Sequence, residues 1–390
     1  MRCLALVVLA MLTGSPVLGE DLLTIGMLTQ ARDLVQPVSP LDRPVTDEGI
    51  AGARLAIADN AATGRFTGRR FALVERTIPN EGDPAAALRS LAEEGVRFVV
   101  ADLDAATLLA AAAAPEARDL LILNGRAPDD ALRNEACREN LLHVVPSRAM
   151  LADGLAQYLA FKRWRRWFVV VGPQAGDRLY ADALRRAAKR FGHEIVAERE
   201  WTFRAGQGRT DTGHVTLQSE VPALTRVPDH DVLVVADEGN EFGEYLPGRT
   251  ALPRPVVGTH GIVATGWSAV SDAWGATQLQ SRFEKLAGRR LGAVDYAAWA
   301  AVRAIGEAAI RTGTGDRRVI ADYLRGPDFL LSGFKGQGQS FRPWDGQMRQ
   351  PILVAGPRML VSVSPQPGFL HRGSELDTLG FDREESRCRR

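Results

Sequence analysis

The chain has 390 residues, with 48 basic and 47 acidic side chains and a formal net charge of +1. So even a balance gives no global field to gather nucleic acid or an anionic membrane surface. Its length points to two domains, and 45% hydrophobic residues supply more than one buried core.

The first residues, MRCLALVVLAMLTGSPVLGED, combine a basic start at Arg2, an apolar run from Leu4 to Leu12 and small residues ending at Gly19. This is the layout of a secretory signal peptide over residues 1–19, and the run is too short to span a bilayer. The expectation is an exported periplasmic protein that is not embedded in a membrane. Cys3 lies in that leader, which leaves Cys137 and Cys388 as an even pair in an oxidising compartment. Either they form a disulfide that ties the tail to the body, or they stay as two thiols.

From Leu22 onward, short apolar runs alternate with segments of helical periodicity. LLTIGML, RRFALVERT, VRFVVADL and DLLILNG read as strands, separated by the helices EGIAGARLAIADNAA, DPAAALRSLAEEG and DAATLLAAAAAPEA. Strands apolar at nearly every position, alternating with helices, predict a parallel sheet covered on both faces. A second series begins after LLHVVPS, with strands WFVVVG, HEIVAEREW, DVLVVADE and PVVGTHG and a helix predicted to end at a glycine cap, Gly192. KRWRRW (162–167) looks basic enough for nucleic acid, but it spans a helix end and a strand start, where cations suit the helix dipole. The chain then turns helical through QLQSRFEKLAG, DYAAWAAVRAIGEAAIRTG and RRVIADYLRG, before the hairpin SFRPWDGQMRQPILVAG and the strand MLVSVS. In the second of these helices Trp299 falls on an apolar stripe and is expected in the core.

The predicted fold class is α/β, with two Rossmann-like doubly wound lobes, a hinge and a cleft between them. The expected boundaries are 20–143 with 261–335 for the first lobe, 144–260 with 336–370 for the second, and 371–390 for a tail. Ligands of such sheets sit beyond the carboxyl ends of the strands. The strand-end loops therefore supply the candidate residues: Asp102, Asp104, Asn124 and Arg126 in the first lobe, and Tyr180, Asp237, Glu238, Thr259 and His260 in the second. The long loop after the first strand adds Arg32 and Arg43, and Trp267 follows the PVVGTHG strand. In the late hairpin, Arg342 and Trp344 are read as bracing the hinge in preference to touching a ligand. No nucleophile elbow, zinc-binding helix motif, phosphate loop or dinucleotide fingerprint occurs, and the six histidines make no metal-spaced set. Nothing here promises an enzyme or a catalytic cofactor.

The lobes resemble type I periplasmic binding proteins, the receptors of branched-chain amino acid ABC transporters. SPLDRPVTDEGIAGARLAIADNAATGRF, GFKGQGQSFRPWDGQMRQPILV and GFLHRGSELDTLGFDREESRC carry a closer likeness, to the substrate-binding proteins associated with PQQ-dependent alcohol dehydrogenase systems. That resemblance implies a permease and an ATPase as partners, and pyrroloquinoline quinone (PQQ), a flat tricarboxylate, as ligand. It also leaves open a receptor for an alcohol-derived solute, or an accessory or sensor protein of a quinoprotein alcohol dehydrogenase. Aromatic faces and guanidinium forks are what PQQ would need, which is why Arg126 and Trp267 stand first among the candidates.

Overall fold

The computed structural model describes residues 21–33, 44–201 and 220–389; the expected leader and Arg43 lie outside them. The first sheet has the order β2-β1-β3-β4-β5, all parallel. It is built from β1 (Asp21–Gln30), β2 (Arg69–Ile78), β3 (Phe98–Asp102), β4 (Leu121–Asn124) and β5 (Leu141–His143). Every residue of β3 and β4 is buried, as strands covered on both faces require. One face packs on α2 (Pro84–Glu93) and α3 (Ala105–Ala113). The other packs on α1 (Ile50–Gly64) and on the late helices α6 (Ala276–Ala287), α7 (Ala293–Thr312) and α8 (Arg317–Arg325). The helical stretch near the end of the chain therefore returns to the first lobe, and Trp299 lies in that core.

The second sheet has the order β15-β14-β10-β9-β8-β6-β7. Its parallel part is β6 (Arg166–Val171), β7 (Glu194–Glu200), β8 (Val232–Ala236), β9 (Val256–Gly258) and β10 (Ile262–Thr265). Then β14 (Ile352–Ala355) and β15 (Leu360–Ser364) add antiparallel at one edge. Helices α4 (Arg148–Phe161) and α5 (Ala175–Phe191) cover one face, and α5 ends at Gly192 in the left-handed region, as predicted. KRWRRW is indeed a junction: Asp231 accepts the backbone N–H groups of Arg165 and Arg166, and Trp167 is in the core. The expected boundary at 260/261 runs between β9 and β10, which pair with each other, so the crossing back to the first lobe falls after Thr265.

Among the described residues three segments join the lobes: 144–147, 266–275 and 350–351. Glutamine amides bind the first crossing to the hairpin and to the third crossing. Gln347 Nε2 donates to the carbonyls of His143 and Val145, and Gln350 Nε2 donates to that of Val144 at 2.5 Å. Lys335 completes the joint from a fully buried position, donating to Gln350 Oε1 at 2.6 Å and to the Pro351 carbonyl at 3.2 Å. Its ammonium also lies 4.6 Å from the centre of the Tyr296 ring. Among the described residues no carboxylate pairs with it, and burial pulls its pKa well below the ordinary value.

The late hairpin forms from β12 (Gly338–Phe341) and β13 (Met348–Arg349), with the short β11 (Leu331–Ser332) paired to β12 and Gly346 at positive φ in the turn. Here Arg342 is 1% exposed and grips the tail. Its guanidinium donates to Asp377 Oδ1 at 2.8 Å and to the carbonyls of Leu376 and Leu379. The half-buried Trp344 ring lies 5.4 Å from the Arg342 guanidinium and 5.1 Å from that of Arg349. The hairpin therefore braces the tail as well as the crossings. Cys137 and Cys388 are joined in a disulfide.

Two outcomes follow for stability. A Cβ at Gly52 of α1 would stand 1.9 Å from the Asp295 carbonyl of α7, closer than any packed contact. Gly52→Ala should therefore cost about 2–3 kcal/mol in urea unfolding, although alanine normally favours a helix. For Lys335, the unfolded chain binds the proton more tightly than the fold does, so stability should rise with pH between the lowered folded pKa and 10.5. The urea midpoint measured from pH 7 to 9.5 should climb in the native protein, and Lys335→Met should remove that part of the slope.

Candidate functional site

The loops after β1 and β4, together with the end of β3 and the stretch that leads into α1, line a cavity of about 630 Å³ at the carboxyl edge of the first sheet. Its chemistry centres on Asp102, the last residue of β3, which is 2% exposed. Arg126 donates to both oxygens of that carboxylate, and its Nη2 also donates to Glu48 Oε2. Arg32 approaches from the other side, 3.1 Å from Asp102 Oδ1, and donates to the Asp102 carbonyl at 2.9 Å. Two guanidiniums thus face two carboxylates. Burial opposes the charge on Arg126, but Asp102 and Glu48 outweigh it and hold its pKa above the usual value. For Arg32 burial prevails, helped by its neighbour Arg126, and its pKa is lowered. The hydroxyls of Thr29 and Thr77, 2.9 Å apart, complete the polar wall, and Pro44, Val45 and Ile50 supply apolar surface.

The other first-lobe candidates shape this edge. Asp104 caps α3 by accepting from Thr107 N and also holds Gln30. Asn124 has both ends of its amide occupied, donating to the Ala127 carbonyl and accepting from the N–H groups of Arg126 and Ala127. It builds the turn that presents Arg126.

In the second lobe the candidates hold each other. Asp237 accepts three consecutive backbone N–H groups, from Glu241 to Gly243. Thr259 Oγ1 donates to the Val235 carbonyl, accepts from Asp237 N and lies 3.0 Å from His260 Nδ1. His260 is buried and its pKa is lowered by that burial. Glu238 takes a two-point contact from Arg148, at 2.8 and 2.7 Å. Arg148 also meets Asp129 of the first lobe at 2.9 Å, which makes it an ionic bridge between the lobes.

Tyr180 and Trp267 are placed differently from the expectation that they would face the ligand. Tyr180 is in the second core, where burial pushes its hydroxyl pKa up. Trp267 is 2% exposed and stacks on Tyr296, ring centres 4.6 Å apart, in the first core. Neither ring lines the cavity, and neither do Arg342 and Trp344. Glu48 and Arg148 were missed. Glu48 stands before a helix, where an acidic residue reads as a cap, and Arg148 opens a helix with no local partner in sequence.

One parallel sheet and one mixed sheet are joined by three crossings among the described residues, with a polar cavity at the carboxyl edge of the first. The fold is that of a periplasmic binding protein. The sequence profile of the family described as "Periplasmic binding protein" matches residues 34–217. Among solved structures, a periplasmic binding protein from Burkholderia mallei shares 17% identity, over 95% of this chain and 99% of its own, with a TM-score of 0.64. A branched-chain amino acid ABC transporter periplasmic ligand-binding protein from Burkholderia xenovorans LB400 shares 19% identity, over 87% of this chain and 95% of its own, at 0.65. A solute-binding protein of an ABC transporter from Rhodopseudomonas palustris BisB5, solved with 3,4-dihydroxybenzoic acid, shares 16%, over 86% and 93%, at 0.60. No curated protein sequence matches. At these identities the likeness establishes the periplasmic-binding-protein fold.

The two partners of Arg126 differ in exposure, and the consequences of losing each should differ too. Arg126→Gln leaves a buried Asp102 with Arg32 alone and should cost about 2 kcal/mol in urea unfolding. Glu48→Gln removes a partner that is 40% exposed and should cost under about 1 kcal/mol.

Proposed function

We propose that this chain is a periplasmic solute receptor of an ABC transporter, capturing a small organic acid and presenting it to a membrane permease and its ATPase. The carrying observation is the ion-pair set in the cavity of the first lobe. Asp102 is buried and fixed, whereas Glu48 is partly exposed and occupies one edge of the Arg126 guanidinium. A ligand carboxylate can take Glu48's place on Arg126 without leaving an unpaired buried charge. Closure of the second lobe over the bound acid would then mark the loaded state. An oxidising periplasm is supported by the Cys137–Cys388 disulfide, and export by the leader-like first residues.

The acid is best described as small and singly or doubly charged. The relative from Rhodopseudomonas palustris was solved with 3,4-dihydroxybenzoic acid, and one from Desulfitobacterium hafniense with leucine. PQQ is the narrower reading, and it rests on the sequence resemblance. Three carboxylates would ask for more positive charge than Arg32 and Arg126 offer, since both already share Asp102.

Calorimetric titration of the purified protein with 3,4-dihydroxybenzoate, leucine and PQQ tests this reading. At least one should bind saturably with Kd near micromolar or tighter, about −8 kcal/mol. Arg126→Gln should weaken that binding at least about tenfold, or 1.4 kcal/mol. Binding unchanged in the variant would remove the ligand from this cavity, and heats absent with all three acids would remove the reading.

A further inference from the structure

We infer that the C-terminal tail is a strap between the lobes, and that its disulfide couples opening of the cleft to release of the tail from α5. Arg342 of the hairpin holds 376–381 beside the joint, and beyond that point the tail has two attachments on different lobes. Cys137 belongs to the first, in the loop between β4 and β5. The stretch before Cys388 is docked on the second. Gly380 donates to the buried carboxylate of Asp153 and accepts from Arg186 and Arg190, while Leu379 lies in the second core. Further along, the Phe381 ring lies 4.3 Å from the Arg186 guanidinium, and Glu385 approaches Arg186 and Arg190 at 3.4 and 3.3 Å. The chain then crosses to the first lobe, where Arg387 N donates to Asn134 Oδ1 and the disulfide closes the link.

The strap spans a gap between the lobes. Asp129 and Asn134 of the first lobe, Leu179 and Arg186 of α5, and Phe381 of the tail line one cavity of about 360 Å³. The Asp129–Arg148 ion pair between the lobes lines the same space. Moving the lobes apart on this side separates the loop holding Cys137 from α5. With the disulfide intact, residues 381–388 must then leave α5, so their contacts resist opening. Once they have left, eight residues can reach up to about 28 Å, and the strap is slack. With the disulfide broken, the tail stays on α5 and those contacts no longer oppose the motion. The covalent bond thus turns contacts within one lobe into contacts between lobes.

A dithiol such as dithiothreitol can break the link. Its thiolate attacks the Cys388 sulfur, the S–S bond breaks and the Cys137 thiolate leaves. The reagent's second thiol then displaces Cys388, so two electrons and two protons pass to the protein and the reagent ends as a cyclic disulfide. Cys388 is the accessible end, because Cys137 is buried.

Small-angle X-ray scattering on the full chain, without ligand, tests the strap. A compact chain of this length has a radius of gyration of about 21 Å, and freeing the lobes should raise it by about 1 Å. That rise is expected for Cys137→Ser with Cys388→Ser, for the native protein in dithiothreitol, and for Phe381→Ala with Glu385→Gln. The two pairs of substitutions cut the same strap at different points, so all four together should open the protein no further than either pair. The dithiothreitol arm reads the same change in native chain should a variant fail to fold, as followed by circular dichroism. An unchanged radius on reduction, or increases that add, overturns the strap. A lower Tm at constant radius would place the disulfide's whole effect on the unfolded chain and overturn it equally.

Discussion

A parallel strand cannot reach its neighbour through a tight turn; each needs a crossover long enough to return over the face of the sheet. Much of this molecule follows from that constraint. It gathers all carboxyl ends of the first sheet at one edge, where Asp102, Asn124 and the end of β1 meet. It also calls for helices on both faces, and the first sheet takes some of them from 276–325, after the chain has built most of the second sheet. That return makes repeated crossings necessary, and with them a joint.

Side-chain amides hold the joint alongside apolar contacts of Val144 and Trp267. Gln347 and Gln350 reach the carbonyls of the first crossing, and Arg133 reinforces them by donating to Gln347 Oε1 and to the Val145 carbonyl. Backbone in a crossing has no strand partner of its own, so these side chains satisfy groups that would otherwise be buried and unpaired. Such bonds are directional and set the angle at which the lobes meet. The tail adds a further constraint, since Arg342 joins the hairpin to Asp377 while Gly380 sits against Asp153 and the arginines of α5.

Charge in the cavity follows the same economy. Asp102 is almost wholly buried, and two guanidiniums compensate it, with Glu48 restoring the balance from a more exposed position. A site built this way tolerates the empty state because no buried charge is left alone. It also leaves one exchangeable contact for an anion. In the second lobe, Asp237 and Asp177 serve loop geometry instead, each accepting backbone N–H groups.

The sequence determined which stretches became strands and helices, because apolar periodicity and glycine stops such as Gly192 act over a few residues. It also placed Asp102 and Arg126 at strand ends, which topology then brought together. What it could not give was partnership. Asp102 with Arg126, Arg148 with Asp129 and Glu238, and Lys335 with Gln350 are pairings made by sheet order and crossings. The rings of Tyr180 and Trp267 read as ligand contacts from position alone, yet their neighbours in the cores claim them. A side chain's type is local, but whether its charge or ring is satisfied by the protein or left for a ligand depends on residues up to hundreds of positions away. Only the tertiary structure decides that.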